Sequence, residues 1–131
     1  MPQPPLLATR RLTRVVEDDV LVEDVSIEVQ AEEVFVVFGA SGSGKTSLLR
    51  LLNRLDEPTR GTVFLEGTDY REIPPRTLRQ RVGWVPQAPT LIEGTVADNV
   101  AWGPTLRGEP VDQDRLHELL DRLGLAGFAD Y

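Results

Sequence analysis

The stretch of sequence that decides the fold is Gly39-Ala40-Ser41-Gly42-Ser43-Gly44-Lys45-Thr46-Ser47. It satisfies the phosphate-loop pattern Gly-x-x-x-x-Gly-Lys-[Ser/Thr]. The apolar run Val34–Phe38 precedes it and is predicted to form a buried strand, and leucines at helical spacing follow it to about Leu55. A strand, a glycine-rich loop and a helix in this order predict an α/β fold with a phosphate-binding loop. The alternative, a chance Gly/Ser-rich turn, is disfavoured because the loop and both flanks match.

All nine residues of the loop are predicted to bind nucleotide phosphates: Gly39, Ala40, Ser41, Gly42, Ser43, Gly44, Lys45, Thr46 and Ser47. Glycine permits left-handed backbone angles and places no side chain between the loop N–H groups and a phosphate. Lys45, which is the only lysine in the sequence, is predicted to reach the outer phosphates. The Thr46 hydroxyl is predicted to bind Mg²⁺, and the Ser47 hydroxyl to donate to an inner phosphate.

The composition of the chain indicates which partners and which cellular compartment to expect. The chain has 131 residues and a formal net charge of −7, which disfavours nucleic acid or an anionic membrane surface as a direct partner. It contains no cysteine, no apolar run near the ~20 residues of a membrane span and no signal-peptide core. We therefore expect a cytoplasmic protein without direct membrane insertion. High negative charge is also typical of proteins from high-salt habitats, which is a second interpretation of this composition.

Periodicity and turn residues divide the rest of the chain into short elements. The predicted strands are Leu6–Val16, Val20–Val29, Val34–Phe38, Thr62–Leu65 and Val82–Val85. The predicted helices cover about Lys45–Leu55, Arg76–Gln80, Thr95–Ala101 and a last segment that ends at Gly124. Thr95 is predicted to cap its helix, with Asp98 completing a capping box. The last helix is predicted to begin at Asp112 or Asp114.

Several further motifs occur in an order that is known from one family. They are Val25-Ser26-Ile27, Leu48–Asn53, Pro58–Val63, Glu66-Gly67, Val82–Gln87 and Gly94–Val100, together with the phosphate loop. With them the chain resembles the N-terminal half of an ABC-transporter ATP-binding subunit, that is, of its nucleotide-binding domain. The resemblance implies a P-loop NTPase of ABC type, with an N-terminal antiparallel β subdomain and a partial parallel core sheet. Residues 1–131 would form one partial ABC ATPase domain, which includes the phosphate loop (Walker A), the Q-loop and the helices that follow it.

The resemblance also implies ligands, roles and partners. It implies ATP and Mg²⁺ as cofactors, and ATP hydrolysis coupled to solute transport as the activity. Gln87 matches the Q-loop glutamine, so Lys45 and Gln87 are the implied catalytic residues, and Thr46 and Gln87 the implied metal ligands. The region after Gln87 is implied to contact a transmembrane subunit at the inner face of the cell membrane, and a second ATPase subunit to complete a dimer. Asn99–Pro104 and Ala88–Leu91 are similar to stretches in phosphate-import and metal-exporter ATPases, so phosphate or a metal ion is the expected substrate.

The chain departs from the family pattern in three places. Val15 and Val16 stand where the family usually stacks adenine on an aromatic side chain, and Glu32 stands where it usually has glycine. The signature motif, the Walker B aspartate, the catalytic glutamate and the switch histidine do not occur in these 131 residues. We therefore expect a fragment or truncated product that is inactive by itself. A nucleotide- or partner-binding module without hydrolysis is the alternative, and a soluble ABC ATPase acting on ribosomes or DNA is disfavoured by the acidic charge.

Overall fold

The computed structural model describes residues 2–131, which form two compact units. The first unit ends at Val85, and the second comprises Pro86–Tyr131. The strands are β1 (Leu7–Val16), β2 (Asp19–Val25), β3 (Glu28–Val29), β4 (Arg60–Leu65) and β5 (Thr68–Asp69). The helices are α1 (Lys45–Leu51), α2 (Pro75–Arg81), α3 (Val96–Val100), α4 (Trp102–Leu106) and α5 (Gln113–Arg122), with a single 3₁₀ turn at Tyr70–Glu72.

The five strands join one antiparallel sheet in the first unit, with β1 at its centre. β2 and β3 pair with one edge of β1, whereas β4 pairs with the other edge and carries β5. The predicted strand Val20–Val29 is interrupted between β2 and β3. There the Thr9 hydroxyl replaces the ladder, since it donates to Val25 O (2.9 Å) and accepts from Ile27 N (3.0 Å). The predicted antiparallel subdomain is therefore present.

The core of the first unit is built from one face of this sheet together with α1, α2 and the 3₁₀ turn. Its buried residues are Leu12, Val22, Leu48, Leu51, Val63, Leu65, Tyr70, Ile73 and Leu78. Helix α1 contributes Leu48 and Leu51, which lie three residues apart and so share one helix face. Burying a leucine side chain stabilises a fold by about 1.5–3 kcal/mol. These two leucines therefore anchor α1, and with it the phosphate loop that leads into the helix.

Helix α1 is shorter than predicted, because it ends at Leu51 rather than near Leu55. Arg54 adopts a left-handed backbone conformation, with φ at 61°, which cannot continue a right-handed helix. The buried Asn53 holds this turn, since its Nδ2 donates to Val82 O at 3.0 Å. The leucine stripe therefore continues past the point at which the backbone turns.

Val34–Phe38, predicted as a buried strand, and Val82–Val85, predicted as a strand, are not paired as strands in residues 2–131. Val34 and Phe38 are 89% and 97% exposed, so the prediction of a buried strand is wrong for Val34–Phe38. The prediction of a strand is wrong for Val82–Val85, in which Val85 is 92% exposed. A strand needs a neighbour to pair its N–H and C=O groups, and neither segment has one among residues 2–131. The sequence thus predicts their apolar character correctly but not their surroundings.

The second unit is helical. The predicted capping box of α3 is confirmed, because Asp98 N donates to the Thr95 hydroxyl (3.0 Å) and Thr95 N donates to the Asp98 carboxylate (2.9 Å). Asp112, rather than Asp114, caps α5, and Gly124 follows its end with φ at 73° as predicted. Leu116 and Leu120 of α5 are buried. No helix in residues 2–131 is long and apolar enough to cross a membrane.

Candidate nucleotide-binding site

The predicted phosphate loop lies in the first unit and enters α1 at Lys45. Gly44 caps this helix in a left-handed conformation, with φ at 97° and ψ at 11°. A Cβ atom on Gly44 would lie only 2.2 Å from the backbone oxygen of Leu21 in β2. Gly44 must therefore be glycine for two reasons, its backbone angle and the closeness of β2.

The other two glycines of the pattern have different surroundings. Gly42 is also left-handed, with φ at 79°, but a Cβ atom there would meet nothing within 4 Å. A Cβ atom on Gly39 would lie 2.8 Å from the Ser43 hydroxyl, which is the flexible end of a side chain. Ser43 N donates to Ala40 O at 3.1 Å and closes the turn between them. Among the three glycines, Gly44 is thus the position that the fold constrains most.

Lys45 folds back across its own loop. Its ammonium group donates to Gly39 O and to Ala40 O, each at 2.7 Å. An ammonium group has three N–H donors, so one donor remains available to a ligand. The lysine thus fixes the curvature of the loop and presents positive charge at the same place.

The two hydroxyl residues that follow lie in the first turn of α1. Thr46 is exposed and Ser47 is half-buried. Neither hydroxyl forms a hydrogen bond with another of the residues 2–131 that the structure describes. An unengaged hydroxyl oxygen beside a phosphate loop suits a hard cation such as Mg²⁺, which prefers oxygen ligands shared with phosphate.

A cavity of about 480 Å³ adjoins the loop on the side of β2. Leu21 and Glu23 of β2 line one wall, and Phe38, Gly39 and Lys45 line the other. The support from β2 was not predicted, because the contact with Gly44 is made by a backbone carbonyl and no side-chain pattern reports it. Close approach by glycine is the general signal that could have suggested such a neighbour.

Val15 and Val16, which stand where the family usually has an aromatic side chain, lie at the tip of the β1–β2 hairpin. Val16 is 39% exposed and Val15 is half-buried, with Val15 N donating to the Thr59 hydroxyl at 2.9 Å. The hairpin turn at Glu17 has φ at 55°. This end of the hairpin therefore presents branched aliphatic side chains.

The remaining predicted site residue, Gln87, belongs to the second unit, whereas Gly39–Ser47 belong to the first. Gln87 is exposed, and so is Leu91 in the segment that follows it. Asn99 of α3 clamps this segment, because its side-chain amide accepts from Ile92 N (2.9 Å) and donates to Ile92 O (3.1 Å). No pattern in the sequence indicates this role for Asn99.

Known proteins are similar to this chain in sequence and in structure. The profile of the ABC transporter family matches residues 22–131. ABC transporter I family member 17 of Arabidopsis thaliana is 44% identical over 127 residues, covering 95% of this chain and 48% of the relative. Methionine import ATP-binding protein MetN of Caulobacter vibrioides is 45% identical over 111 residues, covering 80% of this chain and 33% of the relative. The chain thus spans about half or less of the length of these curated relatives.

A solved structure, of a bacterial Atm1-family ABC exporter with ATP bound, superposes with a TM-score of 0.84 at 25% identity, covering 96% of this chain and 23% of that chain. The fold is therefore that of an ABC-type nucleotide-binding domain, with the phosphate loop at the start of its first helix. The chain belongs to the ABC transporter family. The predicted resemblance and fold class are confirmed.

Proposed function

We infer that this chain binds ATP through Gly39–Ser47 as part of an ABC ATPase that powers solute transport. The observation that carries this proposal is the preformed loop, in which Gly44 packs on Leu21 O and Lys45 spans the carbonyls of Gly39 and Ala40. A loop that is already curved needs little ordering when a phosphate arrives, so less free energy is lost on binding. Membership in the ABC transporter family supports ATP as the nucleotide.

Different groups of the loop are proposed to contact different phosphate oxygens. The backbone N–H groups of the glycine-rich turn are proposed to donate to phosphate oxygens, as in other anion-binding nests. Lys45 supplies a charge-assisted contact through its third N–H donor. The Ser47 hydroxyl is proposed to donate to an inner phosphate.

The proposed metal ion is Mg²⁺, and the Thr46 hydroxyl is its proposed ligand in the first unit. Gln87, which belongs to the second unit, is proposed as a ligand on the family resemblance alone. When bound, Mg²⁺ neutralises charge on the phosphate oxygens. Gln87 is proposed to orient the attacking water with its amide group, which can both donate and accept hydrogen bonds. Lys45 is proposed to stabilise the charge that develops on the outer phosphate.

The proposed partners follow from the surfaces of the second unit. The segment after Gln87, which Asn99 holds in place and which exposes Leu91, is proposed to contact a transmembrane subunit. This subunit would attach the protein to the inner face of the cell membrane, and a second ATPase subunit would complete the dimer. Phosphate or a metal ion remains the predicted substrate.

The proposal is tested by titration calorimetry of the 131-residue chain with Mg-ATP. Lys45→Ala removes a charge-assisted contact worth about 1.5–3 kcal/mol, which is about a 10- to 150-fold loss of affinity. Arg76→Ala is the matched control, because it removes an exposed positive charge from α2, outside the loop. Equal affinities of the wild type and Lys45→Ala would contradict the assignment.

A further inference from the structure

The outer face of the antiparallel sheet carries several arginine side chains. Arg10 of β1 pairs with Thr62 of β4, so both side chains lie on the face opposite to the buried Val63. The guanidinium carbon of Arg10 lies 4.8 Å from the centre of the Phe64 ring on this same face. Aromatic and cationic side chains thus share a surface that does not form the core.

A distortion of the sheet brings further arginines to this surface. The register between β1 and β4 shifts between Arg10 and Thr13, and Arg11 is left-handed with φ at 49°. Gly61 permits the close approach of the two strands, because a Cβ atom there would lie 2.4 Å from Arg11 O and 2.5 Å from Arg10 O. The result is a cavity of about 380 Å³ whose lining includes one carboxylate, that of Asp24, and four arginines. We call these four the arginine patch: Arg10, Arg11, Arg60 and Arg71. Bulges of this kind often re-aim side chains next to functional sites.

Two members of the arginine patch are paired and two are not. Arg11 is 3.1 Å from Asp24, and Arg71 is 2.6 Å from Asp69. Arg10 and Arg60 form no ion pair with any of the residues 2–131. The patch therefore carries excess positive charge in a chain whose formal net charge is −7.

We propose that the arginine patch binds a short acidic segment of a partner protein. Guanidinium groups recognise carboxylates through pairs of parallel hydrogen bonds, and Arg71 already holds both oxygens of Asp69 in this way. The unpaired Arg10 and Arg60 offer the same chemistry to carboxylates from outside. The exposed positions of these groups suit several weak contacts made together by a flexible segment.

The extent of the positive surface favours a short segment over nucleic acid. Charges further apart than the Debye length of about 8–10 Å are largely screened at physiological salt. A segment with a few carboxylates can stay within the patch, whereas a long polyanion would also run along the acidic remainder of the chain.

The proposal is tested by fluorescence anisotropy with a labelled peptide, Gly-Glu-Glu-Gly-Glu-Glu-Gly, in low-salt buffer. The 131-residue chain should bind this peptide and not the peptide with glutamines in place of the glutamates. Arg60→Gln should weaken binding about two- to fivefold, as expected for one exposed ion pair. Arg10→Gln combined with Arg60→Gln should weaken it about tenfold.

Two control variants distinguish peptide binding at the arginine patch from an effect of net charge and from binding at the phosphate loop. Arg76→Gln removes one exposed arginine of α2, which forms no ion pair within residues 2–131, and it should leave the affinity for the peptide within about twofold. Lys45→Ala should also leave peptide binding unchanged, so this proposal can fail or hold independently of ATP binding. Equal losses in Arg76→Gln and Arg60→Gln would overturn the proposal. Tighter binding of a single-stranded oligonucleotide of the same charge would overturn it as well.

Discussion

Replacing Gly44 by alanine should destabilise the fold far more than the same change at Gly42. Both glycines are left-handed, and this conformation costs a residue with a Cβ atom about 1–2 kcal/mol. At Gly42 the added atom meets nothing within 4 Å, so the backbone cost is the whole effect. At Gly44 the atom would lie 2.2 Å from Leu21 O, and either β2 or the loop must move.

The destabilisation by Gly44→Ala exceeds that by Gly42→Ala because the atom in the way, Leu21 O, belongs to the backbone. Leu21 O is a backbone atom of a paired strand and cannot rotate away as a side chain can. Forcing an extra methyl group into a filled space typically costs about 1–3 kcal/mol. We therefore expect Gly44→Ala to lower the free energy of unfolding by about 2–5 kcal/mol, against about 1–2 kcal/mol for Gly42→Ala.

The assay is urea unfolding at low micromolar concentration and without nucleotide, with far-UV circular dichroism as the readout. The absence of nucleotide matters, because binding differences between the variants would otherwise add to the apparent stability. Similar free energies of unfolding for the two variants would show that β2 does not support the loop, and the reasoning from the Leu21 contact would be refuted.

Three further predictions concern other parts of the first unit. Glu32 is left-handed with φ at 64°, so Glu32→Gly should raise the stability by ~0.5–1 kcal/mol, and a lower thermal midpoint would contradict this. The hydrogen-bonded Arg71 holds the pKa of Asp69 well below its usual value, so this stabilisation is present above about pH 4 and is lost as the pH falls. In Asp69→Asn the free energy of unfolding should therefore fall less steeply as the pH is lowered below about 4. The same fall in the variant as in the wild type would refute the role of the pair. Because Val15 and Val16 offer no aromatic ring, Mg-ATP and Mg-GTP should bind within about tenfold of each other by calorimetry, and a much larger preference for ATP would mean that another residue reads the base.

The features that the sequence predicts well are those that depend on neighbours along the chain. The capping box needs only Thr95 and Asp98, three residues apart, and it forms as expected. The left-handed Gly124 after α5 is likewise a local signal. The curved conformation of Gly39–Ser47 is also local, because Lys45 bonds to carbonyls five and six residues before it, whereas phosphate binding by this loop stays a prediction.

The features that the sequence does not predict depend on distant strands. The exposure of Val34–Phe38 is decided by the neighbours available to it, which no local pattern reports. The arginine patch exists because a bulge in β1 meets Gly61 of β4, and the register of two strands far apart in sequence sets this meeting. The support of Gly44 by Leu21 O likewise depends on a distant strand. Strand β5 is a different case, because it pairs with β4 across the short turn Glu66-Gly67, and its two residues, Thr68 and Asp69, are too few to show the alternation of a strand.

The unpaired segment Val34–Phe38 has a thermodynamic consequence for the loop that follows it directly. Any chain segment that pairs with Val34–Phe38 would fix the backbone just before Gly39. Nucleotide binding would then remove less conformational entropy from the loop. Coupling of this kind is reciprocal, so bound nucleotide would strengthen the strand pairing by the same free energy. The two equilibria, closure of the strand ladder and occupancy of the loop, would then respond together to a change in either one.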